Sequence, residues 1–218
     1  MNTKDTKNAT ELKQVDISSL EKEVLTDSGL IKVMPYSFYK SIDENSIKML
    51  MWKYGIYVIP TQELIDWLKE NIVGTAIEIG AGIGAISRAL QIPITDSRMQ
   101  EIPEIKWYYN MMGNPTINYA DDVEKLDAEE AIKKYKPDTV IGCFITHKFE
   151  ERIGSGNAMG VQEEFILENV KRYINIGNLH THKDKPILKN NPVEYNFEWL
   201  ITRSVVSSLN RIWIYDKK

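Results

Sequence analysis

Residues Ala76-Ile77-Glu78-Ile79-Gly80-Ala81-Gly82-Ile83-Gly84-Ala85-Ile86-Ser87 decide the reading of this chain. A short apolar run feeds three alternating glycines, and a helix-forming stretch follows. Glycine at such positions permits positive φ and lets a ligand come close to the backbone. The N–H groups that open the following helix are then expected to face an anion or an oxygen-rich ligand. The bland alternative is a tight turn inside an α/β core, and short glycine motifs do produce false matches. A strand before and a helix after favour the ligand.

Downstream, short apolar runs alternate with helical patterns. Strands are expected at Thr75–Ile79, Ile92–Thr95, Thr116–Tyr119, Thr139–Phe144, Tyr173–Ile176 and Arg211–Tyr215. Helices are expected at Gly84–Gln91, Asp127–Tyr135, Val161–Arg172 and Glu198–Leu209, with helical turns in Ser97–Met112 despite Pro103. Alternation of this kind signals a mostly parallel sheet. Nearly all-apolar strands fit a sheet covered on both faces. Phe149–Gly160, with Gly154, Gly156 and Gly160, reads as a mobile loop.

Upstream, Asn45–Tyr54 carries Ile47, Leu50, Met51 and Tyr54 at helical steps, with Gly55 placed to end the helix. A second helix, Gln62–Ile72, is capped by Thr61 and buries Leu64, Ile65, Leu68 and Ile72. The polar start, Met1 to about Gln14, is expected to fray. This divides the chain into an N-terminal tail and helical cap, 1–58, and an α/β domain, 59–218.

Composition narrows the function. The chain has 218 residues, with 27 Lys+Arg against 31 Asp+Glu, a net charge of −4. An acidic balance argues against a broad phosphate-binding surface, since non-specific nucleic-acid affinity comes from Lys and Arg. No apolar stretch approaches the ~20 residues needed to span a bilayer. The start lacks the apolar core of a signal peptide, so a cytoplasmic location is expected. With 1 cysteine, Cys143, an internal disulfide and a cysteine zinc site are excluded.

Two ligands compete for the glycine loop. Gly80, Gly82 and Ala85 fit the dinucleotide fingerprint. Glu78, Gly80, Gly82 and Gly84 fit E-x-G-x-G-x-G, which resembles the first motif of the class I S-adenosylmethionine-dependent methyltransferases. Asp96, ending the second strand, can accept from two ribose hydroxyls under either reading. Several further features resemble the methyltransferase family: a helical segment before the loop, Asp121 and Asp122 beyond the third strand, the Pro137-Asp138-Thr139-Val140-Ile141-Gly142 stretch, and a final strand at Arg211–Tyr215. The segments Ile59-Pro60-Thr61 and Thr95-Asp96-Ser97 also look like those of small bacterial and phage methyltransferase-like proteins.

The resemblance implies a three-layer, Rossmann-like α/β fold with a C-terminal antiparallel strand. It implies S-adenosylmethionine as cofactor, held by Glu78, Gly80, Ala81, Gly82, Gly84, Asp96, Asp121 and Asp122. Ligands bind beyond the carboxyl ends of such strands, which brings the loop Ile145-Thr146-His147-Lys148 to the crevice. His147 has the type and place of a general base, or is a surface histidine at a strand end. Tyr57, Thr146 and His180 are expected to line the acceptor pocket, although His180 and His182 also read as plain polar loop residues. Trp107-Tyr108-Tyr109 with Met111-Met112 is an apolar surface for the core or for a partner.

Several acceptor-specific motifs are missing. Where amine-methylating DNA enzymes carry Asp/Asn-Pro-Pro-Tyr/Phe, this chain has Cys143-Phe144-Ile145-Thr146. No cysteine follows a proline, and no set of metal-binding acids matches. The resemblance implies methyl transfer, and the acceptor expected is a small molecule rather than nucleic acid, with no metal and no membrane. A non-catalytic S-adenosylmethionine-binding protein, a NAD-dependent oxidoreductase and a nucleic-acid methyltransferase remain as alternatives.

Overall fold

The computed structural model describes residues 15–151 and 154–217. The expected fraying of Met1–Gln14 lies outside the described residues. Among the described residues seven strands form: β1 (Ala76–Ile79), β2 (Thr95–Asp96), β3 (Glu124–Lys125), β4 (Thr139–Cys143), β5 (Arg172–Asn178), β6 (Val193–Tyr195) and β7 (Asn210–Asp216). Five pair in the order β1-β4-β5-β7-β6, and β2 pairs with β3. A parallel bridge from Glu78 to Ile94 joins the two sets. Across the molecule the order is thus 3-2-1-4-5-7-6. The strands are parallel except β7, which runs antiparallel to both β5 and β6. The expected α/β class, mostly parallel with an antiparallel C-terminal strand, is what forms. Its first five positions follow the doubly wound order, which reverses direction between β1 and β4 and opens a crevice there.

Period-two alternation builds the three layers. Ile77, Ile79, Val140, Tyr173 and Tyr215 face one cluster with Ala131, Ile132 and Ile166. Those three belong to helices α7 (Ala128–Tyr135) and α8 (Glu163–Asn169). Ile141, Ile174, Ile176, Ile212 and Ile214 face the other side and meet Leu64, Ile65, Leu68 and Ile86. These come from α4 (Gln62–Asn71) and α5 (Ala85–Leu90). Thr61 caps α4 by accepting from Leu64 N, and Asp127 with Glu130 forms a capping box on α7.

Before the sheet, α1 (Ser18–Val24), α2 (Tyr36–Lys40) and α3 (Glu44–Lys53) surround Leu20, Val24, Tyr39, Leu50 and Met51. Ile83 and Ile201 pack against that cluster and join it to the α/β layers. Pro103 opens α6 (Pro103–Met111) at its first position, where its missing N–H costs nothing. Leu179–His182 forms a single turn, α9. Among the described residues, no helix is long and apolar enough to cross a membrane.

Three expectations give way. Thr116–Tyr119 forms no strand; the third strand is Glu124–Lys125. Tyr119 buries its side chain with Ile94 and Val123 instead, Ile117 packs half-buried against them, and the Ile117 N–H bonds to Gln100 Oε1, so packing is reached without a ladder. Glu198–Leu209 forms no α-helix, only a 3₁₀ turn at Ser207–Leu209. Tyr195, Phe197 and Trp199 stack in sequence, with ring centroids 5.9 and 4.3 Å apart. Those three rings recur at every second residue, which is an extended period. The helix expected at Val161–Arg172 shortens to α8, because Val161 bridges to His147 and Arg172 starts β5.

Candidate functional site

Gly80, Gly82 and Gly84 all lie at positive φ, 56°, 56° and 72°. They are not equivalent. A Cβ on Gly80 would lie 2.5 Å from Ile145, and one on Gly84 would lie 2.8 Å from Ile94. A Cβ on Gly82 meets only Ile117, at 3.4 Å. Gly80 and Gly84 therefore serve close packing, while Gly82 leaves space open toward a cavity.

The loop's amides turn inward. Ala81 N donates to Thr95 O, Gly84 N to Ala81 O, and Gly82 N to Asp96 Oδ2 at 2.9 Å. Arg88 on α5 pins the loop from outside by donating to Ile83 O and gripping both oxygens of Asp122. What this loop presents is shape rather than those donors.

Asp96 ends β2 and is buried. Its other oxygen accepts from Arg98 N at 2.7 Å, which closes a tight turn at the start of the 3₁₀ segment Met99–Glu101. Burial pushes its carboxyl above the usual range, while the Gly82 and Arg98 N–H groups pull it down. Each oxygen keeps a lone pair beyond its backbone partner. Glu78, in the middle of the sheet, accepts from Ser87 N at 3.1 Å and from Ser87 Oγ. Burial pushes its carboxyl up to about 7, against those hydrogen bonds.

A cavity of 420 Å³ opens at the carboxyl ends of these strands. Glu78, Gly80, Ala81, Gly82 and Asp96 line one side, and Tyr57, Thr146 and His147 line it too. Gly84, Asp121, Asp122 and His180 do not reach it. Gly84 lies behind the loop against Ile94, Asp122 is paired with Arg88, and Asp121 and His180 are exposed. His147 is buried, with Nε2 3.2 Å from Ser155 Oγ. The described part of Phe149–Gly160 folds back along this histidine through bridges Lys148–Asn157 and Glu150–Ser155.

Three lining residues carry weight that the sequence reading missed. Phe144, following β4, sits at φ 55°. A bulky residue there is strained by ~1–2 kcal/mol. Its ring lies 5.7 Å from Tyr57 and 5.2 Å from His182. His182, two residues past His180, turns into the cavity; burial, aided by the Lys185 charge, pushes its imidazole down to about 4. Lys185 is buried at the same wall, with Nζ 2.7 Å from Glu163 and 3.0 Å from Ile145 O. Only the histidine had a sequence signal, and nothing in the sequence chose His182 over His180. Among the described residues, no group of three His, Cys, Asp or Glu could hold a metal ion.

No family model and no curated protein matches the chain. Solved structures do. The chain is similar to magnesium protoporphyrin IX methyltransferase from Synechocystis PCC 6803 with bound SAM, at 13% identity over 94% of this chain and 99% of that one, TM-score 0.43. It is similar to precorrin-6y C5,15-methyltransferase from Geobacter metallireducens GS-15, at 14% identity over 72% and 87%, TM-score 0.38. A third is a S-adenosylmethionine-dependent methyltransferase from Clostridium acetobutylicum ATCC 824, at 13% identity over 74% and 61%, TM-score 0.28.

Proposed function

We propose that this protein is an S-adenosylmethionine-dependent methyltransferase acting on a small molecule. One observation carries the reading. A left-handed glycine loop closes onto the carboxylate of the second strand, and both line one cavity at the point where the strand order reverses. That is where an α/β sheet of this order takes a nucleoside ligand.

The cofactor fits the residues present. Gly82 leaves room where any side chain would intrude, and Gly80 and Ala81 line the same wall. Asp96 is held by two backbone N–H groups, with the Tyr119 hydroxyl also against its carboxylate, and its remaining acceptor capacity suits ribose hydroxyls. Glu78 stiffens the loop through Ser87. When bound, the cofactor supplies an electrophilic methyl on a sulfonium. The chain then has to align an acceptor, exclude water and, for an oxygen or nitrogen acceptor, remove a proton. His147 is assigned as that base, with Ser155 holding its ring. Tyr57 and Thr146 shape the acceptor side. The buried His182, pushed down to about 4 and tied to Asn178 through Nδ1, is a weak base and is assigned to the cavity wall.

Calorimetry tests the reading directly. The parent should bind S-adenosylhomocysteine and S-adenosylmethionine but not NAD. Gly82→Val should lose that binding while still melting cooperatively, after a backbone strain of ~1–2 kcal/mol. His147→Ala should keep cofactor affinity and lower turnover ~10²-fold or more once an acceptor is supplied. Binding of NAD instead, or parental affinity in Gly82→Val, would remove the reading.

A further inference from the structure

Helix α6 is built unlike the other helices of eight or more residues. It has no buried residue, and much of its apolar surface faces out: Trp107 is 63% exposed, Tyr108 56% and Met111 63%, with Met112, just past its end, at 59%; Ile105 and Tyr109 are half-buried. Burying such side chains is worth ~1.5–3 kcal/mol each, so leaving four of them in water points to a ligand surface. A groove of 550 Å³ runs along this helix, lined by Tyr108 and Met112 but not by Trp107 or Met111. Tyr57, Met99, Tyr109, Asn157 and Met159 line both this groove and the cavity described above. The two spaces share these walls.

The groove also holds a cation. Arg203 lies with its guanidinium 3.9 Å from the centroid of the Tyr57 ring. Its side-chain N–H groups have no hydrogen-bond or carboxylate partner among the described residues; its backbone N–H donates to Tyr57 O. The groove's acid, Glu104, is exposed, so water screens its charge. A stacked guanidinium with free edges is suited to a carboxylate or sulfonate, which it can bind through two parallel hydrogen bonds. Around it, tyrosine rings and polarisable methionine sulfurs offer flat apolar contacts.

We propose that this groove binds planar, apolar organic acids, with the acidic group on Arg203 and the flat body between Tyr57 and α6. Resting on the methyltransferase reading, such an acid is the class of acceptor. Its body lies along Tyr109 and Met159, at the entrance to the cavity that holds Asp96 and His147.

Two fluorescent probes test this, anilinonaphthalene sulfonate and the uncharged N-phenylnaphthylamine. The parent should bind both. Arg203→Gln should weaken the sulfonate ~10-fold or more and the uncharged probe little, as expected for loss of a charge-assisted hydrogen bond. Arg203→Lys should restore part of the sulfonate affinity. Met112→Asp, at an exposed position away from the core, should weaken both probes. Calorimetric affinity for S-adenosylhomocysteine should stay parental in the Arg203 and Met112 variants. Equal sulfonate binding by the parent and Arg203→Gln would overturn the proposal. So would failure of the parent to bind either probe, or a dimer seen by sedimentation that Met112→Asp dissolves and the probes do not. Failure of the parent to bind S-adenosylhomocysteine would sink the methyltransferase reading and leave the acid-binding groove standing.

Discussion

Glu78 shows how burial shifts the charge of one residue. Its carboxyl is sealed inside the sheet beside Ser87, and burial raises it from 4.5 to about 7. The folded protein therefore holds a proton on Glu78 that the unfolded chain has released. Stability from this group is fully present below about pH 4.5 and is lost as pH rises to about 7. A shift of this size is worth on the order of 3 kcal/mol. Glu78→Gln keeps an acceptor for Ser87 and removes the titration. Chemical denaturation at a series of pH values should show the variant gaining on the parent between pH 5 and 7, with no further gain above about pH 8. A constant difference across that range would mean that Glu78 is ionised throughout. Asp96 differs because both of its oxygens take backbone N–H groups. Its replacement by Ala should therefore loosen the loop as well as the ligand.

At the scale of elements, the contrast is between the central strands and α6. β5 is buried along almost its whole length and pairs on both sides. α6 buries nothing and touches mainly the 3₁₀ turn before it. Local stability follows such differences in contact and exposure. In hydrogen exchange followed by mass spectrometry, α6 amides should exchange at least ~100-fold faster than those of β5, through openings that leave the sheet intact. A probe bound in the groove should slow the α6 amides and leave β5 unchanged. If α6 were as protected as β5 without ligand, its exposed face would need another explanation. Element identity was mostly legible: α4, α5, α7 and the strands β1, β4 and β7 form where apolar periods and capping residues place them. β3 and β6 escaped because they are only two and three residues long. Pairing with a neighbour makes strands of that length, and local propensity does not.

For the whole molecule, the buried Lys185–Glu163 pair is the tie between separate parts of the chain. Lys185 joins the turn after α9 to Ile145 beyond β4, and to Glu163 at the start of α8. Tyr173 OH and Asn175 Nδ2 donate to the same Glu163 oxygen. Both charged side chains are 1% exposed. Removing one partner strands the other charge, which costs ~3–5 kcal/mol, whereas replacing both with apolar groups can be nearly neutral. Lys185→Met alone should therefore lower Tm sharply, and Lys185→Met with Glu163→Leu should recover most of the loss. Equal melting of the single variant and the parent would show that the pair is not formed.

The sequence alone determined the α/β alternation, the glycine loop and the acid ending β2. Each depends on residues close together in the chain, where apolar period, glycine φ and capping act locally. Only the tertiary structure decided which of Gly80, Gly82 and Gly84 leaves open space, and that His182 rather than His180 enters the cavity. It alone paired Asp122 with Arg88, buried Lys185 against Glu163, and brought Arg203 over Tyr57. Those outcomes depend on the direction of a side chain at the end of a strand or turn, and on which distant segment packs against it. Packing of the sheet and the segments around it fixes both, and no local pattern encodes either.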